Sequence, residues 1–507
     1  MNKRIIGILL SYVLIIVDVI AGIMLVPILL GKLGDDEYGL YKLMFSTASY
    51  LSVLDFGIGG TITRYVVKFR VNREVKKEQN FLAMGLILYA LLAFCVLLVA
   101  IVLSVLIPKI YAHSISADNY GKAQVIFLIL CLNTAVMLFN HAYNGILVAY
   151  DKHIYNKSTN IIKICLRFIL LIVGVNMFSS AIIIVLIDLS LSIILLLCNI
   201  LYTKIILKCK IKLYNWDKTL FKESMIFTIA ILAQTIINQF NSNLDNVVLG
   251  IYTTTQIITM YSLVLQFFTM YSSLSTAISG IYLPSIASAV FRGESDDEIT
   301  DRIIEPSRLQ LLILLLALSG FYLFGNQFLI LWVGEGYESV FMLAAILMTC
   351  ATLELTQNTI TSVLKAKNIL HGKTLILSIS TVINAILTFL LVPHLGALGA
   401  VIGTSFSLLF GYGLVLNIYY HKVAKVNMIK YYKKTYKGIF ISFIISFILG
   451  YGIVKLFSHN TLIYFIIEVM LYILVYIFIV GILGLNKTEK NRIKNTIKKI
   501  LHKNKIV

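Results

Sequence analysis

Charged residues are scarce in this sequence, and acidic residues are the scarcer kind. Aspartate, glutamate, lysine and arginine make up 13% of the 507 residues, with 24 acidic against 43 basic side chains. Hydrophobic residues make up 59% and the mean hydropathy is +0.90, whereas an ordinary soluble domain is about 45–50% apolar. The composition excludes a soluble globular protein and predicts a chain embedded in a lipid bilayer.

Signals for metal sites, disulfides and nucleotide hydrolysis are also missing. The six cysteines lie in apolar segments or, for Cys209, in a polar loop, and none has metal-ligand spacing. HGKT at 371–374 resembles the end of a P-loop, but the required first glycine falls at Lys367. DFG at 55–57 matches a kinase tripeptide only inside an apolar run. We therefore expect no metal, no cofactor and no nucleotide-driven pump.

Apolar segments of about 20 residues, the length that crosses a bilayer as helix, recur along the whole chain and are separated by short polar loops. They predict an all-α polytopic membrane protein with about fourteen transmembrane helices. The predicted spans are 5–30, 40–67, 80–107, 123–149, 158–177, 180–203, 223–250, 256–290, 304–333, 339–365, 374–392, 397–420, 438–457 and 462–485.

The basic residues are concentrated in alternate loops, which excludes a nucleic-acid surface and follows the positive-inside rule. With the N-terminus inside, the cytoplasmic segments hold 34 of the 43 lysines and arginines, and the opposite loops hold four. Both termini are therefore expected in the cytoplasm. In the tail, Ile493, Ile497, Ile500 and Leu501 at helical spacing among lysines predict either an amphipathic helix on the inner leaflet or a solvated basic tail.

An internal repeat organises the chain. ILVAYDKHIYNK at 146–157 is similar to VLKAKNILHGKT at 363–374, an offset of 217 residues, and LGDDEYGLYKLMF at 33–45 can be set beside LGIYTTTQIITMYSLVLQF at 249–267. Both matches pair a helix with the sixth helix after it. Because six is even, the two copies share their orientation, and we expect two six-helix lobes with pseudo-twofold symmetry around a central cavity, plus two C-terminal helices.

The predicted domains follow from this repeat. They are an N-terminal lobe (1–203), a cytoplasmic linker (204–222), a C-terminal lobe (223–420), helices 13 and 14 (421–485) and a basic tail (486–507).

Polar residues at helical spacing mark three spans. Such stripes either line an aqueous cavity or form hydrogen bonds between helices. In helix seven, Gln234, Asn238, Asn241 and Asp245 follow i, i+4, i+7 and i+11. The others are Asn133, Asn140, His141 and Asn144 in helix four, and Glu354, Gln357, Asn358 and Thr361 in helix ten.

The stretch LSVLDFGIGGTITRYVVKFR at 51–70 places Asp55 near the middle of helix two, as Asp18 lies in helix one. A carboxylate at this depth requires a partner, a proton or a wet cavity. We expect the glycines at 57, 59 and 60 either to bend helix two or to admit a neighbouring helix. Asp18 and Asp55 are predicted to serve as coupling residues that exchange a proton or hold a cation, with a structural role as the alternative.

Two stretches, PILLGKLGDDEYGLYKLMF with LSVLDFGIGGTITRY, and PHLGALGAVIGTSFS at 393–407, resemble Wzx-type oligosaccharide flippases and polysaccharide export proteins. The resemblance implies the multidrug/oligosaccharidyl-lipid/polysaccharide exporter fold, with helices arranged six, six and two, and alternating access without ATP. Lipid II flippases of that superfamily carry cavity arginines in helices one, two and eight. Here helix one has Asp18, and the apolar run of helix eight has no cation.

A flippase of this kind must carry phosphate groups past the hydrocarbon core, so cations within the spans are the candidate anion site. Lys163 and Arg167 lie at i and i+4 on helix five, and Arg64 lies at comparable depth on helix two. We predict that the three bind phosphate, with arginine supplying a bidentate grip. The alternative is that they extend to the interface and only fix topology.

The predicted function is translocation of a polyprenyl-pyrophosphate-linked oligosaccharide, such as an O-antigen or capsule unit, across the bacterial cytoplasmic membrane. The expected protein is a monomer and not an enzyme, with a polysaccharide polymerase as a possible partner and no nucleic-acid partner. One alternative is a cation-coupled multidrug exporter of the same superfamily. The other, a membrane glycan polymerase or transferase, normally needs a large outer loop, and the longest one here is 108–122.

Overall fold

The computed structural model describes residues 3–456, 461–491 and 494–495, and this part of the chain is helical without strands. The predicted amphipathic tail helix, with Ile493, Ile497, Ile500 and Leu501, lies outside the described residues. The helices are α1 (Lys3–Ser49), α2 (Ile58–Val71), α3 (Val75–Ile110), α4 (Tyr120–Ala149), α5 (His153–Phe178), α6 (Ala181–Leu201), α7 (Lys218–Tyr252), α8 (Thr255–Phe291), α9 (Asp296–Val333), α10 (Glu338–Thr356), α11 (Ile360–Ala366), α12 (Leu370–Leu395), α13 (Ala397–Ser407), α14 (Leu416–Lys422), α15 (Met428–Tyr436), α16 (Ile439–Leu456) and α17 (Leu462–Ile479).

Twelve of the described helical segments are long and apolar enough to cross a membrane. The first of them, Val13–Val71, is divided at Gly34, whose φ of 74° and ψ of 172° separate two helices. If the two parts of this segment are counted separately and α7, with 35 residues, is added, the described helices agree with the approximate prediction of fourteen. The protein is therefore a multi-pass, all-α membrane protein, as predicted.

The helices form two compact units. The first contains residues 1–262 and 385–400, and the second contains 263–384 and 401–507. α7 thus packs in the same unit as α1 to α6. The predicted lobe limits, and the cavity expected between the lobes, remain predictions.

The repeat at an offset of 217 residues is confirmed in the local backbone. α4 ends at Ala149 and α5 begins at His153, while α11 ends at Ala366 and α12 begins at Leu370. Between them, Asp151 and Asn368 both adopt left-handed conformations, with φ of 61° and 57°. The next amide closes the same turn in each copy, Lys152 N to Leu147 O at 2.9 Å and Ile369 N to Leu364 O at 3.0 Å. The two turns are one structure built twice.

Side-chain hydrogen bonds also repeat at the offset of 217 residues, and the matched positions differ from this offset by at most one residue. Three bonds of the first unit have counterparts in the second, so the copies share a packing scheme and not only a helix count. The matched pairs are Asn140–Asn199 (3.2 Å) with Gln357–Asn417 (3.3 Å), Asn144–Asn156 (2.6 Å) with Thr361–Lys373 (2.8 Å), and Arg167–Asp188 (2.5 Å) with Asn384–Thr404 (3.4 Å).

The predicted two additional helices, α16 and α17, are joined to α9 of the second unit. Phe324 of α9 packs in a buried cluster with Tyr472, Tyr476 and Val480. Arg308, a basic residue at the edge of a predicted span, is only 3% exposed. Its guanidinium donates to Glu489 and to the carbonyls of residues 434, 435, 437 and 484. This arginine therefore ties α9 to both ends of the α16–α17 hairpin.

Candidate functional site

The second predicted span is broken where the sequence placed its aspartate and glycines. Residues 50–55 form a 3₁₀ turn that ends at Asp55, and α2 begins at Ile58. Phe56 and Gly57 between them are left-handed, with φ of 52° and 69°. Gly57 adopts this conformation without steric cost, because it has no Cβ. The prediction that the glycines bend the helix is confirmed.

The close helix approach, offered as the alternative to bending, occurs as well. A Cβ on Gly59 would lie 3.0 Å from the carbonyl oxygen of His141, and a Cβ on Gly145 would lie 2.5 Å from the carbonyl oxygen of Gly59. Thr63 Oγ1 donates to the carbonyl of Gly145 at 3.0 Å. α2 and α4 therefore meet backbone to backbone immediately after the break.

Asp55 lies between α3 and α4. Its Oδ1 accepts a hydrogen bond from the Tyr89 hydroxyl at 2.8 Å, and its Oδ2 lies 3.2 Å from His141 Nδ1. A cavity of about 190 Å³ adjoins the pair and is lined by Phe45, Ala48, Ser49, Ser52, Asp55, Leu130, Asn133, Thr134, Met137, Leu138 and His141. The sequence thus predicted both a cavity and a buried partner for Asp55 as alternatives, and the structure contains both.

Lys163 and Arg167 lie on one face of α5, against α6. Arg167 donates from Nε and Nη2 to the two carboxylate oxygens of Asp188 at 2.5 and 3.0 Å, and Lys163 Nζ donates to Ser192 Oγ at 3.1 Å. α5 begins at His153, earlier than predicted, so Arg167 lies about 21 Å from its start at 1.5 Å per residue. Both cations are partly buried near the middle of the span.

The second part of α1 brings another cation to this group. Lys42 Nζ lies 5.2 Å from the ring centre of Tyr38 and 5.8 Å from that of Tyr41, and Lys42 interacts electrostatically with Arg167. Asp18, from the first part of α1, also interacts with Arg167. We call Asp18, Lys42, Lys163, Arg167 and Asp188 the cationic cluster, because it contains three basic and two acidic side chains.

Arg64 has an exposed side chain on α2. α2 packs against α3, α4 and α7, whereas α5 packs against α1, α4 and α6. A phosphate site that joins Arg64 to Lys163 and Arg167 therefore remains a prediction.

The two predicted coupling carboxylates have different surroundings. Asp18 is exposed and interacts with Arg167, while Asp55 is one-fifth exposed and contacts Tyr89 and His141. Their proposed roles in coupling remain predictions, and each has its own set of neighbours.

The polar stripe of α7 divides into a buried end and an exposed part. Asp245 is 5% exposed and accepts hydrogen bonds from the Tyr261 hydroxyl and from Thr388 at 3.3 Å. Asn238 and Asn241 have exposed side chains, and the side chain of Gln234 lies outside the described residues. The stripe thus combines both of the alternatives, with the hydrogen-bonded role at Asp245.

Cysteine introduced at Asn238 is expected to react with a membrane-impermeant thiol reagent from one side of the membrane. The matched control is cysteine at Asn246, which is buried and donates to Ser46 at 3.0 Å, and which should stay unmodified. Labelling would be measured from both sides, in a version of the protein without its native cysteines. Protection of position 238 from both sides would contradict an aqueous surface on this part of α7.

The predicted stripe of α4 also has two roles. Asn140 is buried and donates to the carbonyl of Ser192 at 3.0 Å, and Asn144 accepts from Asn156 at 2.6 Å, so both join helices. Asn133 and His141 line the cavity beside Asp55.

The stripe of α10 lies in the second unit, where the predicted span is broken at 357–359. Gln357 donates to Asn417 at 3.3 Å and to the Tyr432 hydroxyl at 2.7 Å, and Asn358 donates to Ser275 at 2.9 Å. These contacts identify both residues as interhelical hydrogen-bond formers in this conformation.

Glu354 is the acidic member of the α10 stripe. It forms a hydrogen bond with Tyr412 and interacts electrostatically with Lys373, whose Nζ donates to Thr361 at 2.8 Å. The sequence analysis did not select Lys373 or Tyr412. The signal for Lys373 was its place in the repeated segment, where the first copy has Asn156.

Sequence reasoning also missed Asp188 and Tyr89, the partners of Arg167 and Asp55. Asp188 is the single charged residue of α6, which was the available signal. Among the described residues, no group of three or more His, Cys, Asp or Glu side chains is placed to hold a metal ion.

A sequence model of a family described as polysaccharide biosynthesis protein matches residues 6–291, more than half of the chain. No curated protein matches. Among solved structures, lipid II flippase MurJ in an inward closed conformation has a TM-score of 0.72 and 16% identity, over 94% of this chain and 98% of that one.

Two transporters of the MOP superfamily have the same fold. An inward-facing multidrug resistance MATE family transporter gives a TM-score of 0.63 and 12% identity, covering 82% of this chain and 95% of its own. A transporter from Pyrococcus furiosus gives 0.52 and 13%, covering 81% and 92%. The fold expected from the resemblance is confirmed, and with the match over residues 6–291 this chain belongs to the polysaccharide biosynthesis protein family.

Proposed function

We propose that this protein is a flippase that moves a polyprenyl-pyrophosphate-linked oligosaccharide across the bacterial cytoplasmic membrane by alternating access. Family membership and a fold shared with a lipid II flippase support this class of cargo. In this proposal the protein is a monomer with both termini in the cytoplasm, catalyses no covalent chemistry, and delivers O-antigen, capsule or related glycan units to a polymerase.

The cationic cluster is the observation that carries the proposal. A charged side chain near the middle of a span costs at least ~2.5–3.5 kcal/mol on insertion scales. The first unit places Lys163 and Arg167 at this depth on one face of α5, and Lys42 interacts electrostatically with Arg167. The three cations exceed the two carboxylates of the cluster by one formal charge, and a pyrophosphate group is a ligand that would compensate this excess.

Asp188 holds the guanidinium of Arg167 in one orientation when no cargo is bound. Its bidentate contact occupies Nε and Nη2 of Arg167, and a guanidinium has five N–H donors. In the proposed cycle, the cargo phosphates interact with Lys42, Lys163 and the remaining donors of Arg167, while Asp188 holds the guanidinium in orientation. The polyprenyl chain stays in lipid, and asparagine and glutamine side chains such as Asn238 and Asn241 contact the sugars.

Arg167→Gln is expected to lower the rate of glycan export roughly tenfold or more, because the lost charge-assisted hydrogen bonds are each worth about 1.5–3 kcal/mol. Arg167→Lys keeps the charge without the bidentate geometry and should give an intermediate rate. Export of surface glycan would be measured in cells that lack their own flippase, with variant abundance in the membrane determined in parallel.

Lys109→Gln is the matched control, because Lys109 is exposed at the end of α3 and outside the cluster. It should export at the wild-type rate. If Arg167→Gln also reaches the membrane normally and exports at that rate, the anion-site assignment is wrong.

A cation-coupled multidrug exporter is the second candidate, and Asp55 favours it. A partly buried carboxylate beside a cavity suits the binding of a cation or proton, and the fold is shared with a MATE transporter. Drug resistance conferred by the wild-type protein, and unchanged by Arg167→Gln, would support this candidate over the flippase.

A further inference from the structure

We propose that the cavity beside Asp55 binds the sugar that is joined directly to the pyrophosphate of the cargo. We call this cavity, which is lined by residues of the second part of α1, the 3₁₀ turn and α4, the sugar subsite. The inference rests on the proposed function, because it places the sugar relative to the phosphate site at Arg167. Both sites are built from helices of the first compact unit, so one head group can contact the two together.

The second part of α1 connects the sugar subsite to the cationic cluster. Lys42 belongs to the cluster, and Phe45, three residues later, lines the cavity. Residues at i and i+3 are neighbours on a helix surface, about 4.5 Å apart along the axis. The ring centre of Tyr41 lies 5.8 Å from Lys42 Nζ and 6.1 Å from the ring centre of Phe45. A phosphate and the sugar esterified to it share a bridging oxygen, so they require neighbouring sites of this kind.

The size of the cavity suits one sugar ring. Its volume is about 190 Å³, which is that of roughly six water molecules at ~30 Å³ each. Pockets that enclose drug-sized ligands are larger, at about 300–1,000 Å³. The sugar subsite is therefore expected to hold the first sugar of the oligosaccharide, while the later sugars lie outside it.

The polar groups of the cavity offer free positions for hydrogen-bond donors. Asn133 Oδ1 is buried and has no hydrogen-bond partner among the described residues. Asp55 accepts a hydrogen bond from Tyr89 and lies 3.2 Å from His141 Nδ1, and a carboxylate has about four acceptor positions. Thr134 donates its hydroxyl proton to a backbone carbonyl of α4 at 3.0 Å, which leaves its oxygen as an acceptor.

These acceptors favour a sugar over a phosphate. The hydroxyl groups of a sugar can donate to them, whereas an ionised phosphate oxygen is an acceptor itself and is repelled by the Asp55 carboxylate. Among the described residues that line the cavity, none is a lysine or an arginine. Charge therefore assigns the two parts of one head group to different sites, the pyrophosphate to the cationic cluster and the sugar to the sugar subsite.

The rest of the lining suits the apolar face of a sugar ring. The apolar lining residues are Phe45, Ala48, Leu130, Met137 and Leu138. Phe45 is 45% exposed, so its ring is available to a ligand, and the negative face of an aromatic ring attracts the C–H groups of a sugar. A metal ion, in contrast, is coordinated by oxygen ligands and gains nothing from such side chains.

The break in the second span brings Asp55 into the cavity. Irregular backbone at membrane depth is tolerated where it is buried in protein or lines a water-filled cavity. Residues 50–55 form the 3₁₀ turn, and the left-handed Phe56 and Gly57 separate it from α2. The Tyr89 hydroxyl of α3 then holds the carboxylate by its 2.8 Å hydrogen bond. The broken segment thus presents an oriented acceptor to the sugar.

Binding of defined polyprenyl pyrophosphates to the full-length protein in nanodiscs tests the sugar subsite. One probe is the bare polyprenyl pyrophosphate, and the others carry a single glucosyl, galactosyl, N-acetylglucosaminyl or N-acetylgalactosaminyl residue. At least one glycosylated probe is expected to bind the wild type more tightly than the bare probe. Asn133→Leu, which keeps the size of the side chain and removes the buried acceptor, should lower this excess affinity roughly threefold to tenfold. The dissociation constant of the bare probe should not change.

Arg167→Gln separates the sugar subsite from the proposed function. It should weaken the binding of bare and glycosylated probes alike, because all of them carry the pyrophosphate. Equal affinity of the wild type for all probes, with binding weakened by Arg167→Gln, overturns the sugar subsite and leaves the flippase proposal in place. Failure of the wild type to bind any of the probes contradicts both.

Asn176→Leu is the matched control. Asn176 is exposed near the end of α5 and donates to the carbonyl of Ile172 at 2.8 Å, so this variant should bind every probe as the wild type does. Asp55→Asn should lower the excess affinity as Asn133→Leu does, and Asn133→Leu alone decides the question if Asp55→Asn does not fold. An excess affinity that survives Asn133→Leu overturns the proposal.

Discussion

Arg308→Ala is expected to lower the free energy of unfolding by about 3–5 kcal/mol, the cost of breaking a buried ion pair by removing one partner. Arg308 is 3% exposed, and its guanidinium satisfies Glu489 and four backbone carbonyls. Alanine would leave all of these acceptors without their donor. Thermal unfolding of the purified protein in detergent, with membrane abundance in cells, measures the effect.

Arg302→Ala is the control for this change. Arg302 lies on the same helix and is paired with Glu294, but it is 44% exposed, so water replaces the lost contact and an effect of about 0–1 kcal/mol is expected. A variant at position 308 that is as stable as the one at position 302 would show that α9 does not hold the α16–α17 hairpin through Arg308.

Gly145→Ala is expected to separate α2 from α4. The added Cβ would lie 2.5 Å from the carbonyl oxygen of Gly59, and both groups are backbone, so no side chain can rotate away. Overpacking of this kind typically costs 1–3 kcal/mol, and here it also displaces the helix that carries the break. We expect lower thermal stability together with reduced transport.

Gly121→Ala gives the comparison within α4. A Cβ at Gly121 has no heavy atom within 4 Å, and alanine is the better helix former by about 1 kcal/mol, so this variant should be neutral or slightly stabilised. Equal stability and transport for the two variants would mean that α2 and α4 need no close contact at Gly145.

The helices and the repeat were predictable, because the length of each apolar run and the spacing of similar segments can be read directly from the sequence. Membrane thickness fixes the length of an apolar run, and the turns at Asp151 and Asn368 repeat with the spacing found in the sequence. The partner of Arg167 was not predictable in this way. Asp188 lies 21 residues away on another helix, and hydropathy does not specify how two helices are rotated against each other.

The stripe of α7 illustrates the same limit. Its spacing places four polar residues on one face, but Asp245 is covered by Tyr261 and Thr388 while Asn241 is exposed. Helical periodicity assigns residues to one face of a helix, but it does not identify which neighbouring residues pack against each position along that face. Gln239 and Asn246, from outside the stripe, form the bonds to the second span.

The unequal chemistry of the two repeat copies bears on stoichiometry. Where the first copy bonds Arg167 to Asp188, the second bonds Asn384 to Thr404, so the helix contact is duplicated and the guanidinium is not. A transporter assembled from two identical halves would have two equivalent anion-binding sites. The anion site proposed at Arg167 therefore has no counterpart at Asn384, and under the proposed function each transport cycle is expected to carry a single anionic head group.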